Sequence, residues 1–239
     1  MKSYAILLAA LFTVAAAQGA VYSGSLTSGA GGGIFATDGW NSTSTVLSYT
    51  VTTPPDSGNG YFHYRYEYTI PTKAVSHFIL ELSTNVTCDS GDILNLSYTG
   101  MPVEPVANGD GGDECGIGWY TPEDSGNSNP GLPGNIYGLK INTTNDPVTF
   151  VIEFDSTRQP TWGDFYAKDG VSGGQDVYAY NLGFTTADPP VDPNDPGYIP
   201  PSDISYMNKI LVPDTIPEPA TALLVVLGGL ATLMRRRSA

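Results

Sequence analysis

The residues of this chain that could carry chemistry are few and mostly acidic. Paired carboxylates for glycoside hydrolysis could be drawn from Glu67, Glu81, Glu153, Asp155 and Asp164, one acid protonating the leaving oxygen while a second attacks or activates water. No spacing singles out a pair, and alternation along their strands sends several of them to solvent. In so acidic a chain some carboxylates fall near one another by chance, so no catalytic residue is assigned. His63 and His77 are the only histidines, both on outward or edge positions of neighbouring strands. Two imidazoles without a third ligand make a weak metal signal, and solvated surface histidines are expected.

The loop Asn108-Gly109-Asp110-Gly111-Gly112-Asp113-Glu114 offers Asp110, Asp113 and Glu114 as oxygen ligands on a flexible backbone, which suits a hard cation such as Ca²⁺. It departs from the EF-hand pattern, because Gly112 occupies the third oxygen position and Trp119 stands where the bidentate Glu belongs. An acidic surface loop without metal is the expectation, and no cofactor is assigned. No Ser-His-Asp arrangement or nucleophile elbow is present, and Gly31-Gly32-Gly33 lacks the following helix and lysine of a phosphate-cradling loop. Trp40, Trp119, Trp162 and the tyrosines could stack on sugar rings, although core packing explains most of them equally well. Sequons at Asn41, Asn85, Asn95 and Asn142 carry no weight in a bacterial cell.

Cys88 and Cys115 are the only cysteines. An even pair in an exported chain reads as a disulfide, the alternative being two free thiols. Closing a loop of about 27 residues would contribute about 3–4 kcal/mol in the chain-entropy account.

The elements that must position these residues are strands. Val46 to Val51 alternates, and Tyr61 to Ile70 does so most clearly, with Phe62, Tyr64, Tyr66, Tyr68 and Ile70 on one face and His63, Arg65, Glu67 and Thr69 on the other. Val75 to Leu82 repeats the pattern with Phe78, Leu80 and Leu82 inward. The turn Pro71-Thr72-Lys73-Ala74 between them is short enough for a hairpin. Further strands are expected at Ile93–Tyr98, Gly116–Tyr120, Ile136–Ile141, Val148–Phe154, Asp164–Ala167 and Val177–Phe184. No stretch between Val21 and Asp188 sustains a helical period. The expectation is therefore an all-β fold, an antiparallel β-sandwich of jelly-roll type over residues 18–187, opening on the Gly/Ser/Thr-rich run Ser23 to Gly33. From residue 188 to 215 Asp-Pro pairs make a stiff acidic linker, in which the island Ile204 to Val212 could pack back as a strand.

Composition narrows the function classes. The 239 residues carry 10 Lys and Arg against 24 Asp and Glu, a net charge of −14. From Gln18 to Glu218 six basic residues face all 24 acids, leaving −18. Such a surface repels nucleic acid and attracts cations that can bridge it to other acidic matrix.

Both ends read as addresses. Lys2 and the apolar run Tyr4 to Ala17 form an export leader (residues 1–17), with small residues at Ala15 and Ala17 and signal-peptidase cleavage favoured between Ala17 and Gln18. The run is too short for a comfortable membrane span. At the other end Pro217-Glu218-Pro219 precedes an apolar helix from Ala220 to Met234 and a basic stop at Arg235, Arg236 and Arg237. The prolines hold the backbone extended for a protease cleft. The arginines stay cytoplasmic, leaving what precedes Pro217 outside the membrane. Fifteen residues at about 1.5 Å each cover roughly 22 Å, short of the hydrocarbon thickness of about 30 Å, which suits a helix that pauses the chain for processing.

This tripartite tail, residues 216–239, resembles the PEP-CTERM sorting signal of Gram-negative bacteria that make exopolysaccharide. The segments Trp162 to Gly170 and Ser76 to Glu81 also look like the body of many such sorted proteins, to which no activity is tied. The resemblance implies that a membrane-embedded exosortase recognises Pro217, Glu218 and Pro219, processes the chain there and passes it to the cell surface or its polysaccharide matrix. The chain would then be a substrate, with a structural or adhesive role. A carbohydrate-binding module or a polysaccharide-modifying hydrolase are the alternatives.

Overall fold

The computed structural model describes residues 20–54, 56–87, 90–100, 103–104, 115–123, 129–143, 147–184 and 208–213. The leader and its Ala17–Gln18 junction, Cys88, the loop acids Asp110, Asp113 and Glu114, residues 185–207, Pro217-Glu218-Pro219, the apolar run 220–234 and Arg235 to Arg237 lie outside the described residues.

The described residues form strands β1 (Val21–Thr27), β2 (Ile34–Ala36), β3 (Val46–Thr52), β4 (Phe62–Thr69), β5 (His77–Glu81), β6 (Leu94–Thr99) and β7 (Val103–Glu104). They continue with β8 (Ile117–Tyr120), β9 (Ile136–Thr143), β10 (Thr149–Ser156), β11 (Pro160–Gly163), β12 (Phe165–Ser172), β13 (Gln175–Asn181) and β14 (Ile210–Pro213). A 3-10 turn, Asp38–Trp40, lies between β2 and β3. No helix among the described residues is long and apolar enough to cross a membrane.

The strands pair antiparallel in two main sheets. One has the order β1-β3-β4-β10-β6, and the other β2-β13-β12-β5-β9-β7, with β8 also on β9. A separate two-stranded sheet joins β11 to β14. Alternation decides which side chains meet. Leu47, Tyr49 and Val51 of β3, Tyr64, Tyr66 and Tyr68 of β4 and Phe150, Ile152 and Phe154 of β10 are buried. In the same core lie Phe78 and Leu80 of β5, Leu139 and Ile141 of β9 and Phe165 of β12. Tyr68 reaches across the gap, its ring centroid 5.6 Å from Phe78 and 6.0 Å from Phe165. Fully burying each such ring stabilises by about 1.5–3 kcal/mol, and aromatic pairing adds about 0.5–1.5 kcal/mol. Two apolar sheet faces sharing one core is the arrangement the period-two rows require.

Three local expectations change. Pro71 to Ala74 does not close a hairpin: β4 and β5 belong to different sheets, and the Val75 N–H donates to the Pro147 carbonyl. Both strands have their apolar row inward, so facing one another across the core buries both, whereas pairing edge to edge would bury neither against a partner. The first part of the Gly/Ser/Thr-rich opening, Ser23 to Thr27, lies in the seven-residue strand β1, which pairs along its length with β3. Its Gly24 is required because a Cβ there would lie 2.2 Å from the Tyr49 hydroxyl.

The third change is at the far end. The linker expected to run to residue 215 contains β14, the rear of the island that sequence marked as able to pack back. Ile210, Leu211 and Val212 are each no more than 2% exposed. They give this segment an apolar row of its own, which the surrounding Asp-Pro pairs lack.

Candidate functional site

Asp155 anchors the polar face of the first sheet. It sits on β10 opposite His63 of β4, just past a register shift against β6. Its carboxylate accepts hydrogen bonds from Asn59 Nδ2 at 2.7 Å and Asn95 Nδ2 at 2.8 Å, and pairs with His63 Nδ1 at 2.8 Å. Asn95 reaches it from a left-handed backbone, φ 53°. Burial by itself would raise the Asp155 carboxyl, but the bonds from Asn95, His63 and Asn59 and the His63 charge outweigh it and hold the group below its ordinary value. The His63 side chain is 38% exposed, so an imidazole of fixed orientation faces outward from a saturated carboxylate.

The other sequence-selected acids do not converge on it as a catalytic pair. Arg65 Nη2 lies 2.9 Å from Glu67 and its Nε 3.2 Å from Glu153, so a guanidinium fills the space between those two carboxylates where a glycosidic oxygen would have to sit. Glu81 and Asp164 belong to the other sheet's side, where Glu81 Oε2 accepts the Asp164 backbone N–H at 2.6 Å.

The two histidines are not neighbours, and one is not solvated. His77 is 1% exposed, on the outward side of β5 but beneath a second apolar cluster of Ile79, Tyr120, Leu132, Ile136 and Tyr166. Its register partners are Asn142 on β9 and Lys168 on β12. Burial first, then the charges of Lys140 and Lys168, lower its pKa to about 3, against an opposing hydrogen bond with Asn129. Its Nε2 has no hydrogen-bond partner among the described residues. This is a neutral core histidine. Among the described residues no group of three His, Cys, Asp or Glu could hold a metal.

A third polar centre seats β14. Lys209 Nζ pairs with Asp164 Oδ1 at 2.9 Å, both side chains fully buried. Asn181 Nδ2 donates to the same Oδ1 at 2.7 Å and to the Asn208 carbonyl at 3.0 Å, while its Oδ1 accepts from the Phe165 N–H. The Tyr66 hydroxyl donates to the Leu211 carbonyl at 2.8 Å and Ser83 Oγ to the Pro213 carbonyl at 3.2 Å. Gly163 makes room, since a Cβ there would meet Val212 Cγ2 at 2.4 Å. Removing one member of the ion pair would strand a buried charge, at a cost of about 3–5 kcal/mol. Sequence reasoning passed over Lys209, Asn181, Asn59 and Asn95. The one legible signal was a lone lysine directly before an aliphatic triplet in an acidic, proline-rich stretch.

Of the aromatic candidates, Trp40 and Trp162 are core residues, and Trp119 is 51% exposed. Its ring meets Tyr137 edge-on at 5.4 Å, and the Tyr137 hydroxyl donates to the Val86 carbonyl. Next to Val86, Asn85 accepts from Arg158, which also holds Asp92 at 2.8 Å. Burial would raise Asp92, but bonds from Arg158, Thr157 and Ser90 lower it. A second aromatic patch groups Phe35 with Tyr180 and Tyr178, at centroid distances of 4.9 and 6.1 Å. Cys115 has no free thiol. Its expected partner Cys88 lies outside the described residues.

No protein family, curated protein or solved structure matches this chain.

Proposed function

We propose that this is an exported, non-enzymatic β-sandwich of jelly-roll type that is sorted through its Pro217-Glu218-Pro219 tail. It serves as a structural or adhesive component of a Gram-negative cell surface or exopolysaccharide matrix. The observation that carries the reading is the fixed order of a Pro-Glu-Pro motif, a short apolar run and an arginine triplet, in a chain that also opens on an export leader. Signal peptidase and an exosortase-type membrane enzyme are its processing partners, and extracellular polysaccharide its surroundings. The charge of −18 between Gln18 and Glu218 supports cation-bridged association with acidic polymer and no nucleic-acid partner. The jelly-roll refinement is supported by strands that repeatedly change sheet, as β4 to β5 and β9 to β10 do. A Cys88–Cys115 disulfide belongs to the same reading, because the compartment is oxidising.

Intact-mass measurement of the protein isolated from its native cell tests the proposal. A mature chain lacking residues 1–17, ending near Pro217 and two hydrogens lighter than its dithiol form is expected. Persistence of Arg235 to Arg237 in the enduring form would reduce the reading to a tethered ectodomain. The half-exposed Trp119 against Tyr137 favours carbohydrate binding as the second reading, which a glycan array with a Trp119→Ala control separates from a purely structural role.

A further inference from the structure

Asp164, Asn181 and Lys209 come from three places in the chain and meet in one dry spot. Asp164 joins β11 to β12, Asn181 ends β13, and Lys209 directly precedes β14. None of the three is more than 1% exposed. One oxygen, Asp164 Oδ1, takes Lys209 Nζ at 2.9 Å and Asn181 Nδ2 at 2.7 Å. The Asn181 carboxamide is held at both ends. Its Oδ1 accepts the Phe165 N–H at 2.9 Å, and its Nδ2 also donates to the Asn208 carbonyl at 3.0 Å.

Stability alone is a weak reason for such a centre, because desolvating two charges is costly and a well-packed apolar replacement is often as stable. The arrangement does supply the parts of an acyl transfer. An amine becomes a nucleophile when a neighbouring base removes its proton, and Asp164 is that base for Lys209. A carboxamide is opened to attack at carbon when a fixed donor holds its oxygen, and the Phe165 N–H is that donor. Its nitrogen leaves once an acid protonates it, and Asp164 also contacts Asn181 Nδ2. Burial of all three side chains keeps out the water that would compete with the amine. Reaction requires Nζ to come within about 3–3.5 Å of Asn181 Cγ, and the shared oxygen holds amine and carboxamide at its own hydrogen-bond radius.

We propose that Lys209 and Asn181 become joined by an isopeptide bond, formed by the folded chain itself with Asp164 carrying the protons. Asp164 takes a proton from the Lys209 ammonium, and the freed amine adds to Asn181 Cγ, sending an electron pair to Oδ1. The tetrahedral centre collapses as Asp164 gives its proton to Nδ2 and the Cγ–Nδ2 bond breaks. Nζ then returns a proton to Asp164. An ammonium, a carboxamide and a carboxylate thus become an amide, ammonia and a carboxylic acid, with no redox change and no co-reactant. The buried charges disappear, and β14 is tied covalently to the end of β13. This goes beyond the sorting reading and stands whether or not the tail is processed.

The test is peptide mapping of the full-length folded protein by mass spectrometry under denaturing, reducing conditions. A protease that cuts after aspartate separates Asn181 from Lys209, because Asp188, Asp192, Asp195 and Asp203 lie between them. The two peptides should nevertheless remain joined, lighter by one ammonia than their summed mass, with fragmentation placing the link at Lys209 and Asn181. Chain recovered from inclusion bodies in urea should carry no link and acquire it on refolding. Asp164→Asn, which keeps both reacting groups, should slow link formation at least about tenfold. Two separate, unmodified peptides from the folded wild type overturn the proposal, and so does a link that forms in urea. A joined pair lighter by one water and mapped to Asp164 overturns the choice of Asn181, and an unchanged rate in Asp164→Asn overturns the proton carrier. The wild-type map decides the bond independently of the variant.

Discussion

The two outward faces of the sandwich start from the same pattern and end in opposite environments. On β4 and β10 the outward residues His63, Arg65, Glu67 and Glu153 stay partly exposed, and they and the buried Asp155 pair with one another. On β5 the outward residues His77 and Ile79 are buried: Ile79 packs with Leu132, from the segment between β8 and β9, and with Tyr120, Ile136 and Tyr166, and His77 lies against the Tyr166 ring. The Tyr166 hydroxyl ties this cover down through the Pro130 carbonyl. Facing away from the main core is thus a local property of a strand, whereas facing water depends on what a distant segment does.

The contrast can be broken most forcefully at the cover. Leu132→Ala should cost about 2–4 kcal/mol in denaturant unfolding, because it opens a cavity over a packed cluster. Thr69→Ala on the wet face, whose hydroxyl meets only Thr149 at 3.1 Å, should stay within about 0.5 kcal/mol. Equal costs would show that the second cluster contributes nothing.

Acid sharpens the contrast next. His77 has a folded value of about 3 against an ordinary 6.5, so below 6.5 the unfolded chain takes a proton that the folded chain refuses. Stability therefore falls as pH drops from 6.5 toward 3, by about 2 kcal/mol between pH 7 and pH 5. His77→Gln should flatten that window in urea titrations. Asp155 is lowered in the fold, so the stability it lends is present above its ordinary 3.8 and is lost only at lower pH. The two faces should fail in sequence, the covered one first.

A smaller loss than at the cover is expected at His63→Ala. It removes one donor of three from Asp155 at a site 38% open to water, and about 1 kcal/mol should be lost by equilibrium denaturation.

Much of this was legible in the residues. The inward rows of β3, β4, β5 and β10 follow from period-two alternation, and Tyr64, Tyr66 and Tyr68 fall where the pattern puts them. What stayed hidden depends on contacts far apart in the chain. His77 reads as solvated because nothing near it announces Tyr166 and Asn129. The β4–β5 connection reads as a hairpin because four turn residues fit equally well at a crossing between sheets. β1 escapes notice because Ser, Gly and Thr pattern weakly, and Gly24 becomes intelligible only beside Tyr49. Asp155 looked like a candidate acid, yet the asparagines that saturate it come from a turn and from a left-handed position on another strand.

The bond from Tyr66 to Leu211 spans 145 residues of sequence. A polypeptide made from its amino terminus onward has both main sheets in hand long before Leu211 exists, so the central tyrosines must wait for closure. Contact order this high belongs to slow folders. Every newly made copy accordingly passes through an interval in which its interior is nearly assembled and still open at one seam.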